Sequence, residues 1–80
     1  MFLVVDMERL RDLREDKDLT QQEVADMLGC SQTTYSRYET GDLNVPIDIL
    51  KKLAKFYKVS IDYIVGITNK KNWLIYANIA

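Results

Sequence analysis

Four polar side chains in one short stretch of the sequence could all hydrogen-bond to the edges of nucleic-acid bases. They are Gln32, Thr33, Ser36 and Arg37. Glutamine can bond adenine through two hydrogen bonds, arginine can bond guanine in the same way, and the hydroxyl residues add polar contacts or a methyl contact to thymine. None of the four is acidic, although 12 of the 80 residues are. An ordinary solvated helix face has the same pattern, so both interpretations stay open at this point.

Two short helices joined by a tight turn would position these four side chains. Thr20 and Glu23 have the spacing of a capping box, which begins a helix, and Gly29 is a typical residue for ending one. Ser31 then predicts the start of a second helix near 32–40. Because Tyr35 and Tyr38 would face inward, the four polar residues would face outward. A helix–turn–helix of this kind can place the first half of its second helix in the major groove of DNA.

Three further helices are predicted around this unit, because apolar residues recur at helical spacing before and after it. Their expected spans are 7–17 with Asp6 as N-cap, 46–58 with Pro46 in the first turn, and 60–66 begun by Ser60 and ended by Gly66. All connections are shorter than about six residues, which is typical of helices packed in one bundle. The sequence therefore predicts a compact all-α domain of five helices over residues 7–66.

The two ends of the chain have a different composition. Residues 2–5 and 73–79 are rich in Val, Ile and aromatic side chains, which predicts strands. We expect a strand in 1–6 and a strand or tail in 67–80 to pair antiparallel beside the first and fifth helices. Since a lone two-stranded ribbon is only marginally stable, it should also pack on the domain or on a second copy. The terminal patch is therefore the candidate dimer contact, and a tail that binds another protein is the alternative.

Composition narrows the classes of function. The chain has no histidine and Cys30 is its only cysteine, so no internal disulfide and no Cys/His metal site can form. No nucleophile–base pair can be assembled from such a set, and we expect neither an enzyme nor a cofactor or metal site. No apolar run approaches the roughly 18 residues of a membrane span, and residues 2–5 are too short for a signal peptide. A cytoplasmic location is expected.

The charge balance does not favour nucleic acid by itself. Lys and Arg total 11 against 12 Asp and Glu, which gives a net charge of −1. The distribution is uneven: residues 1–30 carry eight acids and four bases (−4), and residues 31–80 carry four acids and seven bases (+3). DNA binding would therefore depend on a local basic patch. A protein-interaction module, such as an antitoxin-like partner, is the alternative function that an acidic chain with an apolar tail keeps open.

Several segments together carry a family resemblance. They are RLRDLR at 9–14, LTQQEVA at 19–25 and LGCSQTTYSRYETG at 28–41, with Asn44, 53–55 and 59–63 continuing the match. These segments resemble the lambda-repressor-like helix-turn-helix family, also called the Cro/cI or XRE family, over about residues 7–66. The resemblance implies a five-helix DNA-binding domain that regulates transcription. It also implies a repressor of the phage or mobile-element type that binds a double-stranded operator as a homodimer.

The resemblance assigns roles to individual residues. It implies that bases are read by Gln32, Thr33, Ser36 and Arg37, and that phosphates are contacted by Gln21, Ser31 and Asn44. The two residues at helix starts, Gln21 and Ser31, are also chemically suited to phosphate, because free amides and the helix dipole favour anions there. Arg14 and Glu39 match a pair that bonds the first helix to the third, two independent surface charges being the alternative. Asp42 and Leu43 stand where many relatives have basic residues, which lowers the expected affinity.

Overall fold

The described part of the computed structural model, residues 7–67, consists of five α-helices. They are α1 (Glu8–Asp16), α2 (Gln21–Leu28), α3 (Gln32–Thr40), α4 (Ile47–Tyr57) and α5 (Ile61–Ile64). No strand occurs within residues 7–67, so the prediction of an all-α five-helix domain is confirmed there. The predicted terminal strands and Asp6 lie outside the described residues. The predicted span 7–17 of the first helix is one residue too long at each end, and the N-cap of α1 is Met7, without a side-chain hydrogen bond, rather than Asp6. No helix in the described part has the length and apolar character needed to span a membrane.

Local capping interactions explain where the two central helices begin and end. Thr20 accepts a hydrogen bond from the Glu23 amide at 3.0 Å while the Glu23 carboxylate accepts one from the Thr20 amide at 2.9 Å, which is the predicted capping box. Gly29 ends α2 in the left-handed region with φ 77°. Ser31 then begins α3 two residues later, its hydroxyl accepting from the Thr34 amide at 3.1 Å. The turn between the helices is short because the C-cap of α2, Gly29, and the N-cap of α3, Ser31, are only two residues apart.

The last two helices differ slightly from the prediction. Pro46 lies just before α4 in extended backbone (φ −60°, ψ 152°) rather than in its first turn, so the predicted start is one residue early. The fixed φ of proline suits both the N-cap and the first helical turn, whereas the ψ of 152° is extended and fits only the N-cap. Lys58 ends α4 with a positive φ of 56°, without the help of a glycine. The fifth helix is a single turn, shorter than the predicted span 60–66.

One apolar core receives side chains from all five helices. Leu10, Ala25, Tyr35, Leu53 and Ile64, one from each helix in order, are completely buried. A small domain gains most of its stability from such a shared core, because no helix of four to eleven residues is stable alone. The core therefore fixes the position of α3, whose opposite face remains in solvent.

Candidate nucleic-acid interface

The polar face predicted from the sequence is carried by α3 and is backed by two buried tyrosines. Tyr35 is 0% exposed and Tyr38 is 7% exposed, and their rings meet edge-on with centroids 6.5 Å apart. Residues of the opposite face are Gln32, Thr33 and Arg37, which are exposed, and Ser36, which is half-buried. Anchoring by two aromatic rings limits how far α3 can rotate about its own axis. The outward side chains are thus presented on a helix whose orientation is set by the core.

A hydrogen-bond chain connects the first residue of α3 to the first residue of α2. The Gln32 Nε2 donates to Gln21 Oε1 at 2.6 Å, and the Gln21 Nε2 donates to Glu39 Oε1 at 3.1 Å. A carboxylate only accepts hydrogen bonds, so it fixes which way the Gln21 amide points, and Gln21 in turn fixes Gln32. Gln32 keeps its own oxygen and one amide hydrogen free. Those are the two groups needed to accept from adenine N6 and donate to adenine N7.

An ion pair between Arg14 on α1 and Glu39 on α3 holds the Glu39 end of this hydrogen-bond chain in place. The Arg14 Nε donates to Glu39 Oε2 at 2.7 Å and its Nη2 donates to Glu39 Oε1 at 3.2 Å. The third nitrogen, Nη1, donates to the Leu19 carbonyl at 2.8 Å, which ties the same guanidinium to the segment before α2. The two side chains are only 11% and 4% exposed. The predicted Arg14–Glu39 partners are therefore together, in the two-pronged geometry that favours arginine over lysine.

Both members of the pair stay charged at neutral pH. Burial by itself raises the pKa of the Glu39 carboxyl, but hydrogen bonds from Arg14 and Gln21 outweigh it and the pKa is lowered. The hydrogen bond to Glu39 likewise raises the pKa of Arg14, against the effect of burial. A charged Glu39 is the acceptor that the chain to Gln32 requires. The electrostatics of the buried pair and the orientation of the exposed Gln32 are thus linked.

The three predicted phosphate-contacting residues occupy different surroundings. Gln21 is half-buried and has one amide hydrogen left after its bonds to Gln32 and Glu39. Ser31 is exposed, and its hydroxyl is occupied by Thr34 in capping α3. Asn44 is exposed on the connection between α3 and α4. The structure brings Gln21 into hydrogen-bond contact with Gln32, and Asn44 lies on a separate segment.

The predicted base- and phosphate-contacting residues carry little positive charge. Arg37 is the only cation among the predicted base- and phosphate-contacting residues, and the acidic Asp42 is exposed five residues later. In the part of the chain that is described, no three potential ligands come together in a way that could hold a metal ion. The electrostatic attraction of a polyanion to these residues would therefore depend on few charges.

Sequence reasoning missed the contacts of Gln21 with its two neighbours. It assigned Gln21 to phosphate alone, from the family resemblance and because the residue begins a helix. The signal that was available is that Gln21 and Gln32 each follow a capping hydroxyl, so both side chains start from the first turn of a helix. Whether two such turns meet depends on how α2 crosses α3, which no local pattern specifies.

The fold and this interface together define a helix-turn-helix domain. A family model described as helix-turn-helix matches residues 10–64, and the chain belongs to that family, as the sequence resemblance predicted. No solved structure gives a significant match to the chain.

The chain is also similar to several bacterial transcriptional regulators. It is 40% identical over 62 residues to the uncharacterized HTH-type transcriptional regulator YobD of Bacillus subtilis (strain 168), covering 78% of this chain and 55% of the relative. It is 44% identical over 58 residues to the cryptic phage CTXphi transcriptional repressor RstR of Vibrio cholerae, covering 72% and 52%. It is 40% identical over 55 residues to the HTH-type transcriptional activator BcrR of Enterococcus faecalis, covering 69% and 27%. The chain thus spans about half the length, or less, of these relatives.

Proposed function

We propose that this protein is a sequence-specific regulator of transcription that binds double-stranded DNA with α3 in the major groove. The observation that carries the proposal is the exposed polar face of α3, held by two buried tyrosines behind it and by the Gln32–Gln21–Glu39 chain beside it. The printed names of the relatives, which are transcriptional regulators, support the same class. Repression is the favoured direction because the relative RstR is a phage repressor.

Each interface residue has a proposed role that follows from its donors and acceptors. Arg37 donates two hydrogen bonds to a guanine, and Gln32 pairs with an adenine through its free oxygen and hydrogen. Thr33 and Ser36 contact neighbouring bases through hydroxyl or methyl groups. Backbone phosphates are contacted by Gln21, Ser31 and Asn44, which set affinity and register.

The test begins with selection of bound duplexes from a random pool at a stated salt concentration, because affinity without the salt concentration cannot be interpreted. Arg37→Ala should then relax the preference at one base pair by roughly 1–3 kcal/mol. Asn44→Ala is the matched control, since it should weaken all duplexes about equally. If Arg37→Ala leaves the order of preferred duplexes unchanged, the assignment of base contacts to α3 is wrong. Gln21→Ala should both relax the sequence preference and weaken binding to all duplexes, because the Gln21 side chain contacts Gln32 and is also suited to phosphate.

The proposal includes a homodimer whose contact is formed by 1–6 and 67–80, in the cytoplasm where the operator is found. The apolar composition of both segments supports this, and so does the 75% exposure of Ile67, an apolar residue at the start of the second segment. A two-fold dimer would place two α3 helices about 34 Å apart, one turn of DNA. Light scattering measures the oligomeric state of the full chain and of a chain lacking residues 73–80, and so tests whether the terminal segments form the dimer contact. A full chain that is monomeric at high micromolar concentration, or a truncated chain that stays dimeric, rejects it.

A further inference from the structure

Two tyrosines with buried hydroxyls belong to the same apolar core cluster. Tyr35 on α3 is 0% exposed and Tyr57 on α4 is 6% exposed. The hydroxyl oxygens of both are inaccessible to solvent and make no hydrogen bond within the described structure. A buried hydroxyl without a partner is destabilising, because it has lost its hydrogen bonds to water. A phenylalanine would fill either position without that cost, so the hydroxyls call for a physical reason.

The Glu39 carboxylate is a candidate acceptor for the Tyr35 hydroxyl. Tyr35 and Glu39 are four residues apart on α3, which puts their side chains on the same face of the helix. An ionised carboxylate can accept about four hydrogen bonds. Glu39 accepts two bonds at Oε1, from Arg14 and Gln21, and one at Oε2, from Arg14. One position at Oε2 is therefore unused on a side chain that is only 4% exposed.

The titration behaviour of the cluster agrees with this geometry. Burial raises the pKa of the Glu39 carboxyl, but the hydrogen bonds from Arg14 and Gln21 outweigh burial and the pKa is lowered. Burial raises the pKa of Tyr57 to about 12 and also raises the pKa of Tyr35. Both hydroxyls are therefore protonated donors at neutral pH, next to an acceptor that is ionised.

We propose that Tyr35 and Tyr57 are positioning residues for the base-reading face, with Tyr57 donating to Tyr35 and Tyr35 donating to Glu39. These two bonds would satisfy both buried hydroxyls. The polar chain then runs from α4 through Glu39 and Gln21 to Gln32. With this chain, α4 as well as α1 determines where the amide of Gln32 points. The inference rests on the proposed function, since it assigns these hydroxyls a part in DNA sequence discrimination.

The experiment compares three single hydroxyl deletions in the full chain. Tyr35→Phe and Tyr57→Phe each remove one link, and Tyr38→Phe is the matched control on α3, whose hydroxyl is not among the buried unpartnered atoms. For each variant, affinity is measured for the selected duplex and for the same duplex changed at the base pair that responds to Gln32→Ala. The ratio of the two affinities is the discrimination at that position. A ratio separates positioning from a general loss of folded protein, which would lower both affinities together.

Tyr35→Phe and Tyr57→Phe should reduce this ratio by up to about fivefold, the worth of one hydrogen bond of about 1 kcal/mol, and Tyr38→Phe should leave it unchanged. In the free protein, Tyr35→Phe should also raise the pKa of the Glu39 carboxyl, followed by NMR. If Tyr57→Phe leaves the ratio at its wild-type value, the positioning role is overturned, whatever happens to stability. A wild-type chain that prefers no duplex overturns the proposed function instead, and this inference falls with it.

Discussion

Replacing Glu39 by glutamine removes one charge from the buried pair and changes almost nothing in shape. Arg14 would keep its hydrogen bond to the Leu19 carbonyl at 2.8 Å, but it would lose the charged partner of its other two donors. The guanidinium would remain in place, since its side chain is only 11% exposed. Removing one partner of a buried ion pair leaves the other charge buried and unpaired. This destabilises the fold more than removing both partners does.

The expected loss is about 3 kcal/mol. Breaking a buried pair by removing one partner costs roughly 3–5 kcal/mol, and the remaining bond to Leu19 and partial exposure place this case at the lower end. A small domain has a total stability of roughly 5–15 kcal/mol, so this is a large fraction. With a urea dependence of about 1 kcal/mol per molar for a protein of this size, the midpoint of unfolding should fall by about 3 M.

Urea unfolding at neutral pH, followed by circular dichroism, measures this directly. Glu15→Gln is the matched control, because Glu15 pairs with Arg11 at 3.9 Å on the surface and both side chains are more than half exposed. An exposed pair of this kind contributes about 0–1 kcal/mol. The reasoning is refuted if Glu39→Gln costs no more than Glu15→Gln, or if a double-mutant cycle shows no coupling between Arg14 and Glu39.

The same pair predicts a pH dependence whose sign follows from the lowered pKa of Glu39. A carboxyl with a lower pKa in the folded state contributes stability that is fully present above its unfolded value of about 4.3 and is lost as the pH falls through the folded value. The difference between wild type and Glu39→Gln should therefore be largest at neutral pH. It should shrink when urea unfolding is repeated below about pH 4.

Three further predictions concern single positions. Lys58→Gly should raise the free energy of unfolding by about 0.5–1 kcal/mol in urea, since Lys58 has φ 56° and glycine adopts that region without strain; a loss of stability would contradict this. Thr20→Ala should lower the melting temperature, because removal of the capping hydroxyl costs about 1 kcal/mol, and no change would argue against the capping box. Asp42→Asn should strengthen binding to all duplexes alike in a titration at fixed salt, since it removes an exposed negative charge near the interface; a change in sequence preference would be inconsistent with that reason.

The parts of the fold that are determined locally could be predicted from the sequence. The capping box at Thr20, the left-handed Gly29 and the cap at Ser31 involve residues within a few positions of each other, and so α2 and α3 were predicted with their observed bounds. Pro46 was predicted one residue too far into α4, because its fixed φ fits both the cap and the first turn. Local sequence patterns thus predict which segments are helical more accurately than they predict the first residue of each helix.

The contacts that build the site are mostly not local. Arg14 and Glu39 are 25 residues apart, and their pairing was expected only from the family resemblance. The bond between Gln21 and Gln32 and the burial of the Tyr57 hydroxyl depend on how helices cross, which composition and spacing do not specify. The outward face of α3 could be predicted, because helical periodicity alone separates it from the buried tyrosines.

The central claim is that α3 and its neighbours contact DNA, and an NMR titration of the labelled chain with the selected duplex tests it most directly. Amide signals at 31–37, at Gln21 and at Asn44 should shift most, and those of exposed residues on α1 and α4, such as Glu8 and Lys55, should change little. Side-chain amide signals of Gln32 should also shift, because its free oxygen and hydrogen would pair with a base. Shifts concentrated on α1 or α4, or none with a duplex that the protein selected, would contradict the claim.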